Sequence, residues 1–139
     1  MIDMDFLKIL KLSNEGFQCA QILMIMALEA EGKENEDLIR AAGGLNVGLS
    51  DMSGPCGALT GGCCFISYFA GKGAADELED PAFNEMLAEF TAWFKEAYGG
   101  NVCTDILGGD MSNMPLRCPD IVQSSYDKVM EILTGNEVI

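Results

Sequence analysis

Histidine is absent from this 139-residue chain. Without an imidazole group, the chain cannot form a Ser-His-Asp triad or a Cys-His pair, and it cannot offer the commonest ligand of haem iron. The chemistry of this protein must therefore use thiols, carboxylates or a bound cofactor.

Basic residues are scarce, since 8 Lys and Arg stand against 22 Asp and Glu and give a formal net charge of -14. A charge of this sign repels phosphate backbones and anionic lipid surfaces. We therefore expect no nucleic-acid partner and no membrane insertion. Two explanations of the acidity stay open, which are solubility or a saline cytoplasm on one side and the attraction of a basic partner on the other. A redox partner protein is expected, but the charge alone does not identify it.

Long apolar runs are also missing. The run Ile22–Leu28 has seven residues, whereas a helix that spans a bilayer needs about 20, so this run is predicted to be core. The segment Met1–Leu12 lacks the basic region and apolar block of a secretion signal. Six cysteines in a chain with 49% hydrophobic residues do not fit a small secreted disulfide scaffold. We expect a cytoplasmic protein with reduced thiols.

Apolar residues recur at helical spacing between turn and capping residues, which predicts an all-α fold. No repeat or linker divides the chain, so residues 1–139 are predicted to form a single domain, a compact bundle of five or six helices. Five segments are predicted to be helices, which are one from after Asn14 to Gly32 and then Glu34–Leu49, Pro55–Ala70, Ala82–Tyr98 and Pro119–Leu133. A short helical stretch around Phe6–Leu10 opens the chain, and Asn101–Leu107 could form a short helix.

Two of the six cysteines are predicted to lie apart from the others. In a helix over Pro55–Ala70, Cys56 and Cys63 share a face but lie about 10.5 Å apart along the axis, at about 1.5 Å per residue. That separation is too large for a disulfide or for one metal ion. Cys63 and Cys64 lie beside Phe65, and a cysteine in such surroundings is often a small buried apolar residue.

The other four cysteines lie near predicted helix starts. Cys56 follows Gly54-Pro55 and Cys118 precedes Pro119, and unpaired amide groups at a helix start favour a thiolate. We therefore expect these two thiols to ionise readily. Cys19 and Cys103 also lie near helix starts, so the four sulfur atoms could converge. The glycines around Cys56 predict a close approach of the backbone to a neighbouring helix or to a cluster; they are Gly54, Gly57, Gly61 and Gly62.

These cysteines and their neighbours resemble the family of redox-active proteins named for the pattern C_GCAxxG_C_C. The resemblance covers nearly the whole chain and assigns the family's central motif to Cys56-Gly57-Ala58-Leu59-Thr60-Gly61. It assigns the other three characteristic cysteines to Cys19, Cys103 and Cys118. Cys63 and Cys64 depart from the four-cysteine pattern. The resemblance implies a redox role without naming a substrate.

Three functions follow as hypotheses. In the first, Cys19, Cys56, Cys103 and Cys118 bind an iron-sulfur cluster for electron transfer, because four thiolates are the usual ligands and Cys-Pro recurs in ferredoxins. In the second, a metal-free dithiol oxidoreductase or redox sensor, Cys56 attacks a disulfide and one of the other three resolves it. In the third, the four thiolates hold a structural zinc ion, or the chain is a partner-binding helical module. Under the first two hypotheses, the protein is expected to be an oxidoreductase or an electron-transfer accessory protein.

Overall fold

The computed structural model describes residues 4–139, apart from the side chains of Met111 and Leu116. The first residues of the segment Met1–Leu12 thus lie outside the described range. The described range contains seven α-helices and confirms the all-α prediction. They are α1 (Met4–Asn14), α2 (Cys19–Ala30), α3 (Glu36–Ala42), α4 (Gly57–Ala70), α5 (Phe83–Tyr98), α6 (Cys103–Ile106) and α7 (Met114–Gly135).

One hydrophobic core receives buried side chains from most of these helices. Helix α2 lies at its centre, and all seven residues of Ile22–Leu28 are buried. Helix α4 packs against α2 and also contacts α5 and α7. No helix within residues 4–139 is long and apolar enough to cross a membrane.

Glycines allow α4 to approach its neighbours closely. A Cβ atom on Gly61 would lie 2.9 Å from Ala20 Cα of α2, and one on Gly62 would overlap the ring of Phe90 in α5. Contacts this short with a backbone atom leave no space for a side chain. The close approach predicted for these glycines is therefore confirmed.

The predicted helix Glu34–Leu49 is wrong in its second half. Helix α3 ends at Ala42 and continues as one 3-10 turn, Gly43–Leu45. Glycines at 43 and 44 favour this end, because glycine loses the most conformational freedom in a helix. Residues 47–50 then all have positive φ angles, which no right-handed helix contains.

The predicted start of the last helix is also wrong. Helix α7 begins at Met114, five residues before Pro119. Pro115 lies in the first turn, where a missing N–H group has no intrahelical partner in any case. Pro119 lies inside the helix and removes one hydrogen bond near its start, which the rest of this 22-residue helix tolerates. Cys118 is therefore inside α7 and not ahead of it.

Replacing Gly61 with alanine tests the close contact of α2 and α4. Alanine favours a helix by about 1 kcal/mol over glycine, but overpacking against a backbone atom costs about 1–3 kcal/mol. We expect Gly61→Ala to lower the free energy of unfolding, measured by urea denaturation. Gly135→Ala is the matched control, because its Cβ meets no atom within 4 Å and should leave the stability unchanged or slightly higher. A stabilised Gly61→Ala variant would contradict the contact.

Candidate functional site

Four cysteines line one cavity, although the first and the last are 99 positions apart in the sequence. The cavity has a volume of about 310 Å³ and lies between α1 and the starts of α2, α4, α6 and α7. Small-ligand sites begin at roughly 300 Å³. We call this space the sulfur cavity and its thiol residues the cavity cysteines, which are Cys19, Cys56, Cys103 and Cys118.

Cys19 is the first residue of α2 and faces the first turn of α4. A Cβ atom on Gly57 would overlap the Cys19 sulfur and would lie 3.1 Å from the carbonyl oxygen of Leu45. The missing side chain of Gly57 therefore makes the space that the Cys19 thiol occupies. This explains why a glycine follows Cys56 in the motif.

Cys56 and Cys103 are held side by side by backbone hydrogen bonds. The N–H group of Cys56 donates to Asn101 O at 2.7 Å, and that of Cys103 donates to Gly54 O at 3.0 Å. Between these bonds, Pro55 and Val102 form an isolated antiparallel bridge. The two cysteines are the most buried of the four, with 6% and 4% exposure. Sequence reasoning missed this bridge because it pairs two loops that are 47 residues apart in the chain.

Cys118 approaches the cavity from the second turn of α7 and is half-buried. Met114, one helical turn earlier, lines the same cavity, because residues four positions apart share a helix face. Cys118 lies near enough to the other three cavity cysteines for their charges to raise its pKa. Cys19 is also near enough to Cys103 for its charge to raise the pKa of Cys103.

Cys56 and Cys118 do not ionise as readily as their predicted helix positions indicated. Burial raises the pKa of Cys56 to about 11, although the backbone N–H groups of Ala58 and Leu59 at the start of α4 lower it. Burial, followed by the charges of the other cavity cysteines, raises the pKa of Cys118 to about 12. Burial also raises the pKa of Cys103. The predicted thiolates at Cys56 and Cys118 are therefore wrong for the metal-free chain. At Cys56 the loss of water outweighs the helix start, and Cys118 lies in the second turn of α7, away from the helix start.

Charged side chains are absent from the described lining of the sulfur cavity, although Asp, Glu, Lys and Arg make up 22% of the chain. The lining is mostly apolar and includes Ile9 and Val122, and its polar side chains include those of Ser13, Asn14 and Gln18. Within the part of the chain that the structure describes, no side-chain cation therefore lines the cavity to stabilise a thiolate.

Cys63 and Cys64 do not line the sulfur cavity. Cys64 lines a different one, together with Met24 and Tyr68. Burial, followed by the nearby Cys64, raises the pKa of Cys63 to about 11. Their separation from Cys56 agrees with the helical spacing in the sequence.

The donor set of the sulfur cavity fits an iron-sulfur cluster in number and kind, because four thiol residues line one partly open space. Among the described residues, no group of three or more Cys, Asp or Glu side chains has the arrangement needed to hold a metal ion. The thiols are free, and no two of them are joined as a disulfide.

A family model described as "Putative redox-active protein (C_GCAxxG_C_C)" matches residues 17–132, which is most of the chain. The chain belongs to the C_GCAxxG_C_C family. Membership supports a redox role and agrees with the resemblance seen in the sequence. All four cavity cysteines lie inside the matched range. Comparisons with curated proteins and with solved structures found no match.

The raised thiol pKa values predict how this C_GCAxxG_C_C protein responds to alkali. Between the ordinary value of 9.0 and about 11, Cys56 keeps its proton in the folded chain but loses it in the unfolded chain. Its contribution to stability is therefore constant below about pH 9 and is lost as the pH rises toward 11. Because the thiolate is the reactive form, alkylation of native, metal-free Cys56 should accelerate about tenfold per pH unit up to about pH 11.

Peptide mass spectrometry after short alkylation pulses measures this rate. The chain unfolded in urea is the reference, and its Cys56 rate should level off near pH 9. A native profile that also levels off near pH 9 would show that burial does not control this thiol.

Proposed function

We propose that this protein is an electron carrier in which Cys19, Cys56, Cys103 and Cys118 hold an iron-sulfur cluster. The observation that carries the proposal is that these four cysteines line one cavity of about 310 Å³. A bound cluster would supply one-electron transfer. The chain's own part is to provide the sulfur ligands, to exclude water and to set the polarity around them.

Two features of the cavity support this role. Its apolar lining limits contact with solvent, and solvent exposure is one of the factors that set the reduction potential of a cluster. The N–H groups of Ala58 and Leu59 interact with the Cys56 sulfur, and hydrogen bonds to ligand sulfur atoms also tune the potential.

Electron transfer requires a redox partner protein, and the net charge of -14 favours a partner with a basic docking surface. The half-buried Cys19 and Cys118 lie on the more exposed side of the site. We propose that the partner approaches from this side. A cytoplasmic location, which stays a prediction, would keep the four thiols reduced before the cluster is inserted.

Anaerobic reconstitution with ferrous iron and sulfide tests the cluster. The wild-type chain should retain iron and acid-labile sulfide after gel filtration, absorb visible light and bleach reversibly with dithionite. Serine in place of any one of the cavity cysteines should lower the retained iron several-fold, because serine removes a sulfur ligand. Cys63→Ser and Cys64→Ser are the matched controls and should retain the wild-type amount. A colourless, iron-free wild-type protein would refute the proposal, as would equal losses in the control variants.

A metal-free dithiol oxidoreductase is the second candidate, favoured because the same four thiols are free and line the same cavity. Two of these thiols would become one disulfide, while a small-molecule disulfide would accept two electrons and two protons and leave as two thiols. Cys56 as the attacking thiol stays a prediction, and its burial makes it slow to attack at neutral pH.

Mild oxidation of the metal-free chain tests this second candidate. Mass mapping should show one preferred disulfide that includes Cys56, with few products at Cys63 or Cys64. A mixture of all possible pairs would count against a dithiol mechanism, because a designated pair should react first.

A further inference from the structure

Asn46 lies in the segment between α3 and α4 and is a buried polar side chain, with 8% exposure. Its Oδ1 atom accepts hydrogen bonds from the N–H groups of Ala20 at 3.0 Å and of Gln21 at 3.3 Å. Its Nδ2 group donates to Gln21 Oε1 at 3.0 Å. Ala20 and Gln21 are the second and third residues of α2. The N–H groups at these two positions are the ones that a capping side chain usually satisfies. Asn46 therefore caps α2 from 26 positions away.

The capped turn is the one that carries a cavity cysteine. Cys19 is the first residue of α2, and the N–H groups held by Asn46 come directly after it. Without these bonds, two backbone N–H groups in the first turn of α2 would lose the Asn46 oxygen as their acceptor, and the turn would fray more often. The Cys19 thiol would then leave its place against Gly57.

Directly after Asn46, the chain passes along Cys103 in an unusual conformation. Residues 47–50 all have φ angles between 53° and 84°, the left-handed region that L side chains rarely adopt. At Gly48, a Cβ atom would lie 2.7 Å from Cys103 Cβ. Ser50 N–H donates to Asn46 O at 3.0 Å, so the left-handed turn is tied back to the capping residue.

The far end of this segment is bonded to the start of α6. Gly54 O accepts from Cys103 N–H at 3.0 Å, and Met52 O accepts from Thr104 N–H at 2.9 Å. Cys56 lies two residues after Gly54 in the chain. One segment, residues 46–56, thus links the helix starts that carry Cys19, Cys103 and Cys56.

We propose that Asn46 is a positioning residue that fixes Cys19 relative to Cys56 and Cys103. It acts through the backbone of α2 and through the left-handed turn, and it is not one of the sulfur ligands. The inference rests on the proposed function in that it assigns Asn46 a role in forming the redox site. A residue of this kind should control the sulfur geometry more than it controls the global stability.

Asn46→Ala tests the inference in the metal-free, full-length chain. Loss of a cap changes a fraying equilibrium about fivefold, which corresponds to about 1 kcal/mol. We therefore expect iodoacetamide to alkylate native Cys19 about fivefold faster in the variant, with the rate at Cys64 unchanged. After iron and sulfide reconstitution, the variant should also lose iron to a chelator faster than wild type and show a shifted visible spectrum.

Asn35→Ala is the matched control. Asn35 caps α3 by accepting from Leu38 N–H at 3.1 Å, so its replacement removes a cap of the same kind away from the sulfur cavity. It should lower the unfolding midpoint without changing Cys19 alkylation. Asn46→Asp, which keeps the accepting oxygen, should restore the wild-type rate at Cys19.

Equal Cys19 rates in Asn46→Ala, Asn35→Ala and wild type would overturn the inference and leave Asn46 an ordinary cap. If Asn46→Ala does not fold, amide hydrogen exchange of the wild-type chain replaces it, because the N–H groups of Ala20 and Gln21 should be protected from exchange by their bonds to Asn46 Oδ1. Exchange of these two groups as fast as in the unfolded chain would then overturn the inference. The alkylation result does not depend on iron, so it is separate from any failure of the wild-type chain to bind a cluster.

Discussion

The contact between the first turns of α2 and α4 is the constraint on which the rest of the structure depends. Gly57 leaves space for the Cys19 sulfur, and Gly61, one turn later, leaves space for the backbone of Ala20. Glycine has no Cβ atom, so two helices can meet at a distance that other residues would prevent. A single spacing in the sequence, Gly-Ala-x-x-Gly, thus sets both the centre of the core and the place of a thiol.

Irregular backbone completes the site that this helix pair begins. The bridge between Pro55 and Val102 places Cys56 beside Cys103, and the segment that contains Asn46 connects both to α2. Segments outside the helices can turn sharply, whereas a helix repeats one conformation. This is why the cysteines gather at helix starts, where helical and irregular backbone meet.

Charge is distributed unevenly between the surface and the sulfur cavity. The chain carries a net charge of -14, yet no charged side chain lines the cavity among the described residues. Burial therefore keeps Cys56 and Cys118 neutral in the metal-free chain, since it raises their pKa values to about 11 and about 12. Bound iron would supply the positive charge that makes thiolates favourable at the same place, since metal ligation deprotonates thiols. An apolar cavity with four thiols is in this sense suited to a cationic group.

The sequence by itself determined the helical fold, most helix positions and the four cysteines, because helical periodicity and the CGAxxG motif are local patterns. The sequence also predicted that Cys63 lies away from the site of Cys56, because the rise per residue of a helix fixes the distance between them along the axis. Only the tertiary structure decided that the Cys56 thiol is neutral and that Asn46 caps α2. The pKa of a thiol depends on how much water the whole fold removes, and a cap from 26 residues away leaves no periodic signal in the chain.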